Sequence, residues 1–180
     1  PHYAMPSVAN SDIDIASRAL ILIGAEPITS FTASSTEATV ANDVYEDVVR
    51  TTLCSSRWRF ATNQAELNLL TNAPSGRYDR AHQLPADMLM LHAITVSDAI
   101  IEYNVYGDKV FSNSSTNDIL IADYTFRALE ADFPSYFTTA LQFSLASSFA
   151  LAIARDEQLA NILETKGGQL LQQAKTLDSQ

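Results

Sequence analysis

Thr51-Thr52-Leu53-Cys54-Ser55-Ser56-Arg57-Trp58-Arg59-Phe60-Ala61-Thr62 is where this chain changes period. Upstream, apolar residues recur every three or four positions, the spacing of a helix with one buried face. Downstream, Trp58, Phe60 and Thr62 alternate with Arg57, Arg59 and Ala61. Ala65, Leu67 and Leu69 then alternate with Glu66, Asn68 and Leu70, and a period of two is that of strands. The stretch therefore predicts helices up to residue 57 and a β-rich segment beginning at Trp58.

Toward the N-terminus, Val40, Val44 and Val48 form one helical stripe, flanked by Ala41, Tyr45 and Leu53, with Ser34 or Ser35 as the first cap. An earlier helix begins at Ser11, whose hydroxyl suits an N-cap. Asp12 and Asp14 add negative charge where the helix dipole favours it. Ile13, Ala16, Leu20 and Ile23 keep the helical period until Gly24, which is placed for a left-handed cap. Residues 1–10, with Pro1 and Pro6, carry no period and are expected to be an extended arm.

Toward the C-terminus, Tyr78, Arg80, His82 and Leu84 continue the alternation to Pro85, beyond which Asp87 is expected to open a helical turn. Tyr103 to Phe111, within Ile100 to Phe111, reads as a hairpin around Gly107-Asp108, and Ile119 to Phe126 as a further strand. The helical period returns from Asp132. Phe137, Leu141, Leu145 and Phe149 share a stripe whose outward positions are Ser, Thr and Ala, which suits contact with another helix or subunit. A last helix from Asp156 carries Leu159, Ile162, Leu163, Leu170, Ala174 and Leu177, and Gly167-Gly168 is expected to interrupt it. The predicted fold is α+β. It is a single domain over residues 11–180, with helices at 11–57 and 132–180 forming one bundle and a β-rich insertion at 58–127.

The full 180 residues carry 21 carboxylates against 11 cations, a net charge of −10, which disfavours a nucleic-acid grip. Cys54 is the lone cysteine and excludes an internal disulfide. It reads as a small buried hydrophobe. The longest uncharged apolar run, Phe143 to Ala154, is broken by serines and reads as too short for a membrane span, so a soluble protein of a reducing cytoplasm is expected. His2, His82 and His92 lack metal-ligand spacing, the five glycines form no phosphate loop, and no serine sits in a nucleophile elbow. His82 with Asp87 reads as structure before it reads as an acid-base pair. No catalytic, metal or cofactor-binding residue is assigned. Arg50, Arg57, Arg59, Arg77 and Arg80, interleaved with Trp58, Phe60 and Tyr78, fit a nucleic-acid patch or a protein interface. At this net charge the interface is favoured, and Arg57, Trp58, Arg59, Arg77, Tyr78 and Arg80 are its candidates.

Four segments carry a resemblance. Leu22-Ile23-Gly24-Ala25-Glu26-Pro27-Ile28-Thr29-Ser30-Phe31 comes first, followed by Tyr45, Val49 and Leu53 with Trp58-Arg59-Phe60-Ala61. Tyr78 to Leu91, centred on Leu84-Pro85-Ala86-Asp87, is the third. Phe133-Pro134-Ser135-Tyr136-Phe137 with Ala140-Leu141 and Leu145-Ala146 is the fourth. In this order they resemble the tail tubular protein A family, head-to-tail adaptors of short-tailed bacteriophages, over Ser11 to Lys175. The resemblance implies a non-enzymatic virion protein of the neck, assembled in the bacterial host cytoplasm. It implies a ring of copies, dodecameric to match the portal protein above, with a tail nozzle protein below and DNA passing through the lumen unbound. It also implies that the C-terminal helix reaches the portal, which makes Leu170, Leu171, Ala174 and Leu177 candidate docking residues. The alternatives are an adaptor or head-completion protein of a long-tailed phage and, from another class, a small cytoplasmic enzyme or binding domain.

Overall fold

The computed structural model describes residues 8–180, so most of the expected N-terminal arm, residues 1–7, lies outside the described residues. The fold is α+β. Four helices, α1 (Asp12–Leu22), α2 (Thr36–Cys54), α3 (Ser135–Phe149) and α4 (Glu157–Asp178), flank eight strands in sequence. The strands are β1 (Thr62–Glu66), β2 (Asn68–Leu69), β3 (Arg80–Gln83), β4 (Met88–Val96), β5 (Ala99–Ile100), β6 (Asn104–Tyr106), β7 (Lys109–Ser112) and β8 (Ile121–Phe126). The chain divides into two compact units. Ala61–Arg127 is one, and the segments on either side of it make the other.

In the helical unit the expected caps are present. Ser11 accepts from the Asp14 amide and Ser35 from the Ala38 amide. Gly24 has φ +76°, and the Gly24 and Ala25 amides donate to the Ile21 and Leu20 carbonyls, a Schellman ending for α1. The chain then folds back, and the Ser17 hydroxyl both accepts from the Ile28 amide and donates to its carbonyl.

The buried face of α2 differs from the expectation. Ala38, Ala41, Tyr45, Val49, Thr52 and Leu53 are buried, whereas Val40, Val44 and Val48 lie beside them, half-buried. The buried stripe is thus turned by one position from the valine stripe, along 38, 41, 45, 49 and 52–53.

The expected strand start at Trp58 is also corrected. α2 ends at Cys54, Arg59–Ala61 form a single 3₁₀ turn, and the first strand begins at Thr62. Trp58 is fully buried, and its indole Nε1 donates to the Thr52 carbonyl at 3.0 Å, capping the end of α2. Its ring meets Phe137 edge-on at 5.1 Å, and Phe60 and Phe133 complete the cluster. The apparent alternation at 57–62 thus places two aromatic side chains in a helical core.

α3 runs on through a π-helical segment, Ala150–Ala154, to Arg155, which takes a left-handed φ of 52° before α4. Ser135–Ala154 form 20 continuous helical residues of mean hydropathy 1.4, by length and composition enough to cross a membrane. That corrects the expectation of too short a run, because the serines continue the helix. Phe137, Leu141, Leu145 and Phe149 are nevertheless buried among the helices, as in a core helix.

α4 is uninterrupted through Gly167-Gly168, contrary to expectation. A Cβ on Gly167 would stand 3.4 Å from the Ser144 backbone nitrogen, whereas one on Gly168 would meet nothing. Ala160, Gly167 and Ala174, all buried, recur at intervals of seven and let α4 lie close along α3. The small-residue face of α3 is therefore occupied within the chain. The Ser147 hydroxyl donates to the Ala160 carbonyl at 3.1 Å.

The β unit holds two antiparallel four-stranded sheets, ordered β1-β8-β4-β5 and β2-β3-β7-β6. Leu67, Leu84, Ile94, Val110, Leu120, Ala122 and Tyr124 form their common core. The expected hairpin is present, Tyr106 pairing with Lys109 across Gly107-Asp108, and Gly107 has the φ of +61° that the first position of a type II′ turn needs. Asp87 does not begin a helix. Met88–Val96 is the longest strand, and the Asp87 carbonyl accepts from the Arg127 amide.

Candidate interaction surfaces

The six arginine and aromatic candidates do not make one surface. Arg57 is exposed, but Trp58 lies in the helical core and offers nothing to a partner. Arg59 is exposed yet engaged: its guanidinium donates to the Ser179 carbonyl at 2.8 Å and to that of Gln180, and its amide donates to Asp178 Oδ2 at 2.8 Å. The Asp178 carboxylate is buried and accepts also from the Tyr136 hydroxyl at 2.7 Å. One carboxylate therefore ties the last turn of α4 to α3 and to the chain after α2. Burial and this contact both push the Tyr136 hydroxyl pKa up.

The other three candidates belong to the β unit. Arg77 lies over the Tyr78 ring at 5.5 Å, and the Tyr78 hydroxyl accepts from Asn104 Nδ2. Arg80 is half-buried. Its Nη1 donates to the Asp79 carbonyl at 2.8 Å, and its buried Nε makes no hydrogen bond.

The candidate docking residues are also divided. Ala174 is fully buried, Leu170 and Leu171 are half-buried, and Leu177 is 51% exposed. The α4 segment beyond Gly168 is part of the core, so its apolar residues do not form a free stripe. Gly167 packs against Ser144, and the Asp178 carboxylate ties the end of the segment to Arg59 and Tyr136.

Sequence reasoning missed a cleft of about 420 Å³ between α2, α3 and α4. Val48 and Leu171 line it together with serine and threonine hydroxyls, and Asp47 and Glu164 are its carboxylates. Thr52 donates to the Val48 carbonyl and Ser55 to the Thr52 carbonyl, so these hydroxyls serve the end of α2. A second cleft, of about 390 Å³ in the β unit, includes Tyr78, Glu102, Ser114 and Asp118. There Asp118 Oδ2 accepts from the Ser115 amide and Ser114 bonds Ser112, an arrangement that braces a loop.

The titratable groups show no catalytic pairing. Burial pushes the Cys54 thiol pKa up, only partly opposed by Arg50, which holds it as the weakly nucleophilic thiol. His82 is buried on β3, where burial lowers its pKa, and its Nδ1 makes no hydrogen bond. His92 shares a 2.7 Å hydrogen bond with the Thr125 hydroxyl. Among the described residues no group of three or more His, Cys, Asp or Glu side chains is placed to hold a metal.

The most uneven surface lies at the edges of the sheets. Ile100, Val105 and Tyr106 on β5 and β6 are all exposed, and Tyr106 stacks on Phe111 at 4.7 Å. The signal for this was present in the sequence as a run with one charge, Glu102, between Ala99 and Tyr106. No protein-family model matches the chain, and no curated protein matches it.

Proposed function

We propose that the chain is a structural adaptor of a bacteriophage neck, a non-catalytic subunit of a ring joining the portal protein to the tail nozzle. The observation that carries this reading is the order of the four resembling segments together with what each does. Leu22–Phe31 holds the Gly24 cap and the Ser17–Ile28 clamp. Tyr45, Val49, Leu53 and Trp58 are core residues, Leu84–Asp87 joins β3 to β4, and Phe133–Phe137 leads into α3. Residues that set turns and core contacts in this order are what a shared fold requires. The ring is taken as dodecameric to match a portal, and portal docking falls to the outward residues of late α4, Leu177 among them.

Co-expression with the portal protein of the genome that encodes it tests the reading. Electron micrographs should show a second ring stacked on the portal. Portal particles without added density, from a cell containing folded adaptor, overturn it. In this role DNA slides past an acidic protein, so duplex binding at about 0.15 M salt should be undetectable. Tight, salt-sensitive binding would turn the exposed arginines into a DNA surface instead.

A further inference from the structure

We propose that successive copies of this chain join head to tail through the β unit, the β6 edge of one copy pairing with the β2 edge of the next. The inference rests on the ring reading above and names the contact. In the β2-β3-β7-β6 sheet, Leu69 pairs with His82, His82 with Val110, and Val110 with Val105. Directly paired residues in antiparallel strands point to the same side, so these four make one row across the sheet. Val110 belongs to the core between the sheets, so the row faces inward. Its middle is closed, His82 at 2% exposure and Val110 at 0%, while its ends are half open, Leu69 at 43% and Val105 at 45%.

An inward-facing row with an apolar residue half open at each end is a core that stops short. The edge strand β5 of the other sheet is likewise short, two residues, and its Ile100 is exposed. Among the described residues β2 and β6 have no further strand beside them, so each ends its sheet with unused backbone capacity. Both edge strands are short, two residues in β2 and three in β6, and neither carries a blocking side chain. β2 is Asn-Leu and β6 is Asn-Val-Tyr, with no lysine, proline or carboxylate in either.

A second copy is the occupant because the two open ends complement each other. The strands alternate in direction across the sheet, so a copy displaced sideways presents its β2 antiparallel to β6. The row then continues from Val105 of one copy to Leu69 of the next. In a chain of net charge −10 the two edge strands themselves carry no carboxylate, though Glu66, Glu102 and Asp108 flank them, so the contact should strengthen with salt. The contact uses different surfaces on the two copies, and such heterologous contacts generate rings when the rotation closes.

Cysteine cross-linking in full-length protein tests the contact. In a Cys54→Ser background, a Leu69→Cys chain is mixed with a Val105→Cys chain and oxidised, both alone and with the portal protein present. Both positions are half-exposed, so the variants fold. The mixed disulfide dimer should form at least about tenfold faster than dimers from either variant alone or from a control pair carrying Ile162→Cys, an exposed α4 position. A mixed rate equal to the control, or a dominant Val105–Val105 product, overturns the head-to-tail contact. Failure of the ring reading is recorded separately, as portal particles without added density; the cross-linking rates decide the edge contact in either case.

Discussion

The helical unit and the β unit of this chain treat their ends in opposite ways. Three of the four helices in the helical unit have both ends tied, α1 by Ser11 and Gly24, α2 by Ser35 and Trp58, and α4 by Asp156 and Arg59, whereas Pro134 opens α3 without a side-chain cap. The β unit stops with core-facing Leu69 and Val105 half open and with Arg80 Nε and His82 Nδ1 buried without hydrogen bonds. Unpartnered buried polar atoms and uncovered apolar ones both cost stability. Among the described residues the helical unit has one such polar atom, Thr138 Oγ1. Its exposed Leu151 and Ile162 lie on helices whose backbone is already paired, whereas Leu69, Ile100 and Val105 of the β unit lie on edge strands. The edge contact proposed between copies uses the open ends of the β unit.

The largest test removes an anchor of the closed unit. Trp58→Ala should cost about 3–5 kcal/mol in denaturant unfolding, because it empties the aromatic cluster and uncaps the Thr52 carbonyl. An effect below about 1 kcal/mol would mean that this core is not the closed one. Truncation after Lys166 removes the buried Ala174 and the Asp178 tie, and the shortened chain should fail to hold native melting. A shortened chain with unchanged melting would return the segment to a free docking role.

A smaller test separates the two glycines. Gly167→Val forces α4 away from Ser144 and should cost about 1–3 kcal/mol. Gly168→Ala meets open space and should stabilise by up to about 1 kcal/mol. Equal effects at the two positions would refute close packing of α3 and α4.

The next test reads the β unit through pH. Burial makes folded His82 bind a proton more weakly than the unfolded chain does, so the unfolded chain gains protons first as pH falls. The β unit should be fully stable above the ordinary histidine value of 6.5 and lose stability below it. His82→Leu should flatten that loss relative to the parent chain. An unchanged pH profile would mean that another group governs it. Smallest of all, Val105→Lys should leave melting of the free chain within about 0.5 kcal/mol of the parent, because the position is half-exposed.

The helices were legible in the sequence because their signals are local. Ser11, Ser35 and Asp156 each accept a hydrogen bond from an amide three residues on, and Gly24 takes the positive φ of a cap. β4 was not legible. Leu89, Leu91 and Ala93 sit between Met88, Met90 and Ile94, so no alternation survives, and two register shifts against β8 disturb it further. Its turn, Ser97-Asp98, has positive φ at both residues without glycine or asparagine to announce it. At 57–62 the alternation was real, but Trp58 and Phe60 serve a core made largely of distant residues, which no local period can encode. The interface candidates were chosen by residue type, and type does not tell that Arg59 spends its donors on the Ser179 and Gln180 carbonyls. The open edge was legible only as a scarcity of charge, and its meaning needed the register of four strands.

The β segment begins and ends on paired strands, with Thr62 opposite Thr125. Cα atoms so paired lie about 5 Å apart. The helical unit is therefore interrupted by a piece of chain whose two ends meet. A short turn between Phe60 and Ala128 would bridge the same distance. In descent as in the laboratory, such a piece is a cassette: it can lengthen, shrink or be exchanged while the flanking reading frame continues into the same helices.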